Sequence, residues 1–161
     1  MMPEDKISRN ISSLYSTDKK TREEATKNLV ESGPKAVPQL LSLLDNPEWK
    51  IRYRAAEALG LIKDERAVIP LVKKLNDNKD HVRYMAAKSL GFFGEEKLSA
   101  PLIPLLSDEN EYVRRITAVS LGVTGGNPAY ESLKSALDRE TDERAKKAMT
   151  DSVGRLSKSE A

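Results

Sequence analysis

The sequence contains a segment of ten residues that returns at intervals of 31 residues. Its three copies are IRYRAAEALG, VRYMAAKSLG and VRRITAVSLG, which begin at Ile51, Val82 and Val113. The apolar segments between the copies keep the same interval, as Leu71 and Leu102 show. A repeat of this length is typical of proteins built from similar units that stack in a row and bury one continuous core.

Each unit is predicted to consist of two helices. Ile51, Ala55 and Leu59 follow one another at four-residue intervals, which places their apolar side chains on one face of a helix. The segment from Val68 to Leu75 has a similar apolar spacing and would form the other helix of the unit. The connections between these segments are short, so no interdomain linker is expected.

Glycine and proline recur at fixed positions of the unit. Gly60, Gly91 and Gly122 lie inside helical patterns, where glycine is less favourable than alanine by up to about 1 kcal/mol. Their recurrence indicates either close packing of neighbouring helices or an early helix end. Pro70 and Pro101 recur within the first helix of the unit, so this helix is expected to start late or to bend.

Degenerate copies extend the repeat towards both ends of the chain. Residues 21–29 match the copy from Ile51 at a step of 30, and residues 145–154 match the copy from Val113 at a step of 32. The chain is therefore predicted to be all-α, a single α-solenoid domain of 1–161 with five stacked helical hairpins. The predicted hairpins are about 4–32, 34–62, 65–93, 96–124 and 127–156.

The composition excludes several kinds of site. The sequence has no cysteine, which excludes disulfides, thiolate metal sites and thiol catalysis. His81 is the only histidine, which excludes multi-histidine metal sites and leaves one possible base for a serine hydrolase triad. No glycine-rich phosphate loop or acid–base pair of carboxylates is indicated. We therefore expect a chain that is not an enzyme and has no metal or cofactor.

The hydropathy pattern bears on location. The segment behind Met1 contains no apolar run of the kind found in secretory signals, and no stretch approaches 18 consecutive apolar residues. We expect a cytoplasmic protein that makes no use of a membrane. The formal net charge is only +2, from 27 Lys and Arg against 25 Asp and Glu, whereas nucleic-acid binders usually carry a larger positive surplus.

The repeated motif resembles the HEAT-like repeats of the phycobilisome-lyase type. The resemblance is carried by Ile51-Arg52, Ala55-Ala56 and Leu59-Gly60, joined to the segment 64–71 with its Asp-Glu-Arg start and its Pro-Leu end. It covers nearly the whole chain and is strongest over 47–124. The resemblance implies an α-α superhelix whose second helices line a concave face. It says little about function, because one fold serves many functions.

The resemblance also implies a ladder of charged residues. In HEAT repeats an acidic residue before the second helix pairs with an arginine at the start of that helix. Carried over to this sequence, the predicted pairs are Asp77 with Arg83 and Asp108 with Arg114. The preceding unit has Asn46 in the place of the acid, opposite Arg52. We interpret these residues as a structural ladder along the stack, and a row that binds anions is the alternative.

The positions between the core positions of the second helices are predicted to face the concave surface. In the three central units they include five of the eight aromatic residues of the chain. Aromatic side chains with methionine and arginine are typical of protein interfaces. We therefore predict a non-catalytic binding or scaffold module that docks a protein or peptide. The predicted binding residues are Trp49, Tyr53, Arg54, Tyr84, Met85, Lys88, Phe92, Tyr112 and Arg115.

Other interpretations of this face remain open. Tyr53, Tyr84 and Phe92 could simply pack between neighbouring helices, or the face could bind a second copy of the chain. Aromatic residues next to lysine and arginine also suit single-stranded nucleic acid, against which the low net charge argues. The resemblance further suggests a bilin lyase that holds its chromophore against Trp49 and Tyr84, although five hairpins are short for that role.

Overall fold

A computed structural model describes residues 5–159, and within this range the chain forms α-helices and short 3-10 turns without a β-strand. Residue 4, the predicted start of the first hairpin, lies outside the described residues, as do 1–3 and 160–161. The α-helices, in chain order, are α1 (Lys6–Ser13), α2 (Lys19–Ser32), α3 (Val37–Leu43), α4 (Trp49–Ile62), α5 (Val68–Lys74), α6 (Asp80–Phe93), α7 (Ser99–Leu102), α8 (Glu111–Thr124), α9 (Asn127–Arg139) and α10 (Glu143–Ser159).

The helices form two layers. The even-numbered helices are the second helices of the units, and α4 packs directly against α6, α6 against α8 and α8 against α10. The odd-numbered helices form the other layer, and each packs against the second helix of its own unit. Between the layers lies a core of leucines that are fully buried, among them Leu59, Leu71, Leu90, Leu102 and Leu121. The predicted all-α solenoid of stacked helical hairpins is confirmed.

The first helices of the central units are short and start with a 3-10 turn. The turn Glu65–Ala67 precedes α5, and the turn Glu96–Leu98 precedes α7. Pro70 and Pro101 each occupy the third position of the following α-helix, where an N–H group has no partner within the helix. The recurrent proline therefore marks a late start of the first helix.

The recurrent glycines allow the second helices to approach closely. A Cβ atom built on Gly60 would lie 2.9 Å from the Cα of Ser89, and one on Gly91 or Gly122 would lie 2.9 Å from the Cβ of Ser120 or Ser152. These distances are too short for a real side chain. The helices α4, α6 and α8 continue past these glycines to their own ends, so close packing explains the glycines and an early helix end does not.

Each of these serines also ties its helix to the preceding one by a hydrogen bond. The Oγ of Ser89 donates to the carbonyl oxygen of Ala56 at 2.8 Å, and the Oγ of Ser120 donates to that of Ala87 at the same distance. In the last pair of helices the Oγ of Ser152 donates to a backbone carbonyl at 2.7 Å. The glycine therefore makes room for a serine that satisfies its own buried hydroxyl.

A ladder of arginines also connects the units. The Nε and Nη2 atoms of Arg52 donate to the two carboxylate oxygens of Asp77 at 2.9 and 3.0 Å. Arg83 binds the carboxylate of Asp108 in the same way, at 2.9 and 3.1 Å. Two parallel hydrogen bonds between ionised groups are among the stronger polar contacts in proteins. Each arginine thus reaches forward to the acid of the following unit.

The predicted pairing within a unit is wrong. Arg83 does not bind the side chain of Asp77. Its Nη1 atom donates to the Asp77 backbone carbonyl at 3.0 Å, and that of Arg114 donates to the Asp108 carbonyl at 2.8 Å. The Asp77 carboxylate accepts the backbone N–H of Lys79 and points towards the preceding unit. Of the two arginines, the carboxylate therefore reaches only Arg52 of that earlier unit.

The ladder continues into the last unit and is incomplete in the first. Arg114 binds the carboxylate of Glu140 at 2.8 and 3.0 Å, a partner that the sequence pattern does not single out. Arg22, at the equivalent position of α2, donates to the carbonyl oxygens of residues 16 and 17. Within residues 5–159 it has no ion pair with a carboxylate, because Asn46 stands where the later units have an acid.

Candidate functional site

The second-helix layer leaves one face uncovered, and we call the outer face of α2, α4, α6, α8 and α10 the groove. Side chains at equivalent positions of successive units lie beside one another there. One row consists of Tyr53, Tyr84 and Arg115, and the neighbouring row includes His81 and Tyr112. Residues that are 31 positions apart in the sequence therefore form rows that run across the helices of the groove.

The centre of the groove is a hollow between α4, α6 and α8. Its lining residues are Tyr53, Asp80, His81, Tyr84, Asn110, Tyr112 and Arg115. Tyr53 and Tyr84 are partly buried and pack against the core, so part of their ring area already serves the fold. Tyr112 is 49% exposed, and the guanidinium of Arg115 lies 5.3 Å from the centre of its ring. The hollow thus offers aromatic surface together with a cation.

Trp49 extends this surface towards α2. The centre of its ring system lies 4.6 Å from that of His81, and the two planes are tilted by 39°. The Nζ atom of Lys79 lies 4.8 Å from the Trp49 ring centre, a cation–π arrangement. His81 lines both the central hollow and a second one that contains Trp49. Trp49, Tyr84 and Tyr112 therefore lie on one continuous surface.

Aspartate 80 holds His81 in this position. The Oδ1 atom of Asp80 accepts a hydrogen bond from the backbone N–H of His81 and lies 2.8 Å from its Nδ1. The hydrogen bond with the His81 ring lowers the pKa of Asp80, which stays ionised at neutral pH. The other oxygen of Asp80 accepts the side-chain amide of Asn110 at 2.9 Å. Asp80, His81 and Asn110 are not among the predicted binding residues, because single polar residues at helix starts are common on any surface.

An apolar row runs along one edge of the groove. Leu61 is 45% exposed, Phe92 is 37% exposed and Val123 is 43% exposed, and the three occupy equivalent positions near the ends of α4, α6 and α8. Val119 lies one turn earlier on α8 and is 46% exposed. Contiguous exposed apolar side chains mark sites of interaction more often than single ones do. The predicted binding residues include Phe92, and Leu61, Val119 and Val123 also occupy positions that the repeat predicts to face the concave surface.

Two of the predicted binding residues are placed differently from the expectation. Met85 is only 2% exposed, so the expectation that it faces a partner is wrong. It lies three residues after Val82 and four before Ser89, on the side of α6 that packs into the stack. Arg54 is partly buried, and its Nη1 atom donates to the carbonyl oxygen of Leu14 at the end of α1. Burial and the charge of Arg22 lower the pKa of Arg54.

A carboxylate without an ion pair lies beside these aromatic rings. Glu57 is partly buried on α4, and burial raises its pKa, which Glu23 raises further and Lys88 lowers. Burial and the nearby charge of Glu57 also raise the pKa of Tyr53. Within the described residues, no basic nitrogen lies within 4.0 Å of the Glu57 carboxylate. Perturbed groups in a hollow are typical of binding sites, although structural positions also show them.

The groove is a mixed surface in which polar groups are dispersed among apolar ones. Over residues 5–159, no three histidine, aspartate or glutamate side chains are grouped so that they could hold a metal ion. No helix in that part of the chain is both long and apolar enough to cross a lipid bilayer.

Lys88 is the last of the predicted binding residues, and its side chain is half-buried between the equivalent positions of Glu57 and Val119.

Solved structures with the same fold include both natural and engineered proteins. The structure of the complex of CpcE and CpcF of phycocyanin lyase from Nostoc sp. PCC7120 matches with a TM-score of 0.83 at 23% identity, over 91% of this chain and 96% of that one. Two engineered proteins match with TM-scores of 0.62 and 0.63 at 22% identity. They are matched over 95% and 93% of this chain and over 80% and 47% of their own. No curated protein sequence matches the chain.

The similarity to phycocyanin lyase corrects one expectation. The expectation that the chain is not an enzyme is wrong, because the same arrangement of helices occurs in a lyase complex and so gives no ground for excluding catalysis. The match covers 96% of the chain from that complex, so the two chains are similar in length.

The sequence itself matches a model of HEAT repeats. The model matches twice, over residues 7–84 and 70–154, so that the two matches together span the stack from α1 into α10. The resemblance to HEAT-like repeats of the phycobilisome-lyase type is confirmed by this match and by the fold of the lyase complex. The chain belongs to the HEAT repeat family.

Proposed function

We propose that this chain is a repeat scaffold that binds a protein partner across the groove, chiefly on α4, α6 and α8. The observation that carries the proposal is the apolar row of Leu61, Phe92 and Val123 beside the aromatic hollow of Tyr84 and Tyr112 on the same face. Packing of the stack does not require these side chains to be exposed. A partner would remove them from water, and burial of apolar area is the main favourable term in protein association.

The two parts of the groove would contribute differently. The apolar row can accept the apolar side of an amphipathic segment, because helix-in-groove recognition depends on such a face. Tyr112 and Trp49 present large rigid rings with a polar end, which add contact area at little cost in side-chain entropy. The hydrogen-bonded unit of Asp80, His81 and Asn110 supplies polar groups that would fix the orientation of the partner.

The test is quantitative capture of proteins from an extract of the cell that encodes this chain, followed by titration of the purified partner. The variant is Phe92→Ala with Tyr112→Ala, and the matched control is Ile69→Ala, which removes a side chain that is 70% exposed on α5 in the other layer. We expect the double variant to bind the partner at least about tenfold more weakly, which corresponds to about 1.4 kcal/mol. The control should bind like the wild type.

The proposal would be overturned if the captured partner bound the double variant and the wild type equally. It would also be overturned if Ile69→Ala weakened binding as strongly as the double variant, because the partner would then use the other layer. Circular dichroism and thermal unfolding of both variants should agree with the wild type, since the changed side chains are exposed.

A second candidate function rests on the similarity to the phycocyanin lyase complex. In that case the chain would take part in handling a bilin chromophore, with Trp49 and Tyr84 against its rings. Trp49 is the only tryptophan of the chain, so its fluorescence reports directly on that part of the groove. Saturable quenching by a linear tetrapyrrole, lost in Tyr84→Ala, would favour this candidate, and unchanged fluorescence would remove it.

A further inference from the structure

The last part of the groove, between α8 and α10, has a different character from its centre. The hollow there is lined by Arg115, Val119, Arg144, Lys147, Ala148, Asp151, Ser152 and Arg155. Four of these side chains are basic and one is acidic. The single acid is already occupied, because the Nζ atom of Lys147 binds the Asp151 carboxylate at 2.8 Å. Three guanidinium groups therefore remain around an apolar floor.

These three arginines differ from the arginines of the ladder. Arg115, Arg144 and Arg155 have no carboxylate oxygen within 4.0 Å in the part of the chain that the structure describes. Arg115 is held in place by the ring of Tyr112, and Arg144 and Arg155 lie on the exposed side of α10, three helical turns apart. The stack gains no ion pair from them, whereas Arg52, Arg83 and Arg114 each bind a carboxylate.

The floor of the hollow is apolar. Val119 is 46% exposed and lies beside Ala148, so a ligand that reaches the guanidinium groups also meets aliphatic surface. Carboxylate groups are good partners for guanidinium, which can bind them with two parallel hydrogen bonds. The combination fits a segment that carries acidic and aliphatic side chains together.

The neighbouring hollow argues against a polyanion such as nucleic acid. At the starts of α8 and α10, the side chains of Glu111, Asp142 and Glu143 line a hollow that shares Arg115 and Arg144 with the basic one. A phosphate backbone carries negative charge along its whole length and would be repelled there. A polypeptide can place its acidic residues over the basic hollow and other residues over this acidic edge.

We infer that the hollow between α8 and α10 binds an acidic, amphipathic segment of a protein partner, with Arg115, Arg144 and Arg155 as the carboxylate-binding residues. This inference rests on the proposed function and adds the chemistry of the partner. The exposed apolar row ends at Val123 on α8, one helical turn after Val119, which lines this hollow, so one segment can occupy both. The partner would then lie with its acidic end towards α10.

The test uses synthetic peptides, since the charge of a peptide can be changed without changing its length. The probe is a fluorescein-labelled amphipathic peptide of leucine and glutamate, compared with the same peptide with glutamine in place of glutamate and with a single-stranded DNA 20-mer. We expect the acidic peptide to bind at least about tenfold more tightly than the glutamine peptide, with a clear loss of affinity as salt is raised.

Variants of the chain locate the interaction. Arg144→Glu with Arg155→Glu should weaken binding of the acidic peptide at least about tenfold. The matched control is Lys73→Glu with Lys35→Glu, which makes the same change in net charge at exposed positions of the first-helix layer, and it should change the affinity less than twofold. Equal binding of the two peptides, equal loss in both double variants, or tighter binding of the DNA would each overturn the inference.

The natural partner distinguishes this inference from the proposed function. If Phe92→Ala with Tyr112→Ala weakens that partner and the α10 arginine variant does not, the proposed function stands and this inference fails. If the arginine variant alone weakens it, the acidic site stands and the central groove fails as the binding surface.

Discussion

Gly91 of α6 and Ser120 of α8 are packed so closely that a Cβ atom on the glycine would lie 2.9 Å from the Cβ of the serine and 3.2 Å from its Cα. Movement of the serine would break the hydrogen bond that its buried hydroxyl donates to the carbonyl of Ala87. The same relationship joins α4 to α6 and α8 to α10. The spacing of the second helices, and with it the geometry of the groove, therefore depends on glycine at one position of each unit.

Gly91→Ala should destabilise the fold strongly, because the new methyl group can be accommodated only if α8 moves. We expect a loss of about 2–4 kcal/mol in the free energy of unfolding, measured by chemical denaturation. The control is Gly154→Ala, at the equivalent position of α10, where nothing lies within 4 Å of the added Cβ. This second change should stabilise the protein by up to about 1 kcal/mol through helix propensity. Equal effects of the two substitutions would contradict the packing argument.

Thr117→Val should stabilise the protein. The hydroxyl of Thr117 is buried and has no hydrogen-bond partner among residues 5–159, and the equivalent residues in the preceding units are Ala55 and Ala86. Valine keeps the shape of the side chain and removes the unpaired hydroxyl, so we expect a gain of about 1–2 kcal/mol in the free energy of unfolding. Thr117→Ser keeps the hydroxyl and loses the methyl group, and it should destabilise the fold. A valine variant less stable than the wild type would show that the hydroxyl has a partner.

Lys63→Gly should also stabilise the protein, because Lys63 ends α4 in the left-handed conformation at φ 60° and ψ 36°. Glycine adopts this conformation without strain, and it occupies the equivalent position after α6 as Gly94, at φ 65°. We expect a gain of about 0.5–1 kcal/mol, visible as a higher melting temperature. The reciprocal change Gly94→Ala should cost a similar amount, since the added Cβ would meet Val123 at an ordinary contact distance of 3.8 Å. A lower melting temperature for Lys63→Gly would count against this explanation.

The stability of the stack should fall in acid. Burial alone would raise the pKa of Asp77 and of Glu140, but hydrogen bonds from Arg52 and Arg114 and from backbone amides outweigh burial, so that both pKa values are lowered. A carboxyl group whose pKa is lower in the folded state stabilises the fold above its ordinary pKa. That stabilisation is lost as the pH falls below the ordinary values of 3.8 and 4.5 towards the folded-state pKa values.

Asp77→Asn tests this dependence on pH. The substitution should cost about 1–3 kcal/mol at pH 7, because it leaves the largely buried guanidinium of Arg52 without a carboxylate. It should cost less at pH 3, because this pH lies below the ordinary pKa of 3.8 and the stabilisation from the ionised Asp77 has begun to fall. Asp138→Asn, at an exposed position of α9, serves as the control and should leave the pH profile unchanged. Parallel profiles for Asp77→Asn and the wild type would mean that the ladder does not cause the acid sensitivity.

The repeat interval was sufficient to predict the fold, because each apolar position of one unit had a counterpart in the next and only stacked hairpins bury all of them. The register of the ladder could not be predicted from spacing. Asp77 lies six residues before Arg83 and 25 residues after Arg52. Both spacings recur from unit to unit, so neither one identifies the partner of the carboxylate. Only the direction in which the carboxylate points, set by its hydrogen bond with Lys79, decides between them.

Single positions were harder to predict than the pattern. Tyr84 and Met85 are neighbours in the sequence, and a rotation of α6 by one position moves either of them from the surface into the core, which explains why Met85 was misplaced. Glu140 was not recognised because the last unit is one residue longer and uses a longer side chain to reach Arg114. The absence of a catalytic motif was also weak evidence, since HEAT-like chains also form a lyase complex.

The ion pairs of the ladder all run in one direction along the stack, from an arginine of one unit to a carboxylate of the next. Every arginine of the ladder depends on the unit that follows it, so loss of the last hairpin would leave Arg114 as a cation without its counter-ion. Arg22 in the first hairpin has no carboxylate partner in the described part of the chain and so has none to lose. The effects of truncation are therefore expected to be asymmetric. Removal of the last hairpin leaves a ladder arginine without its carboxylate, whereas removal of the first hairpin leaves every ladder ion pair intact.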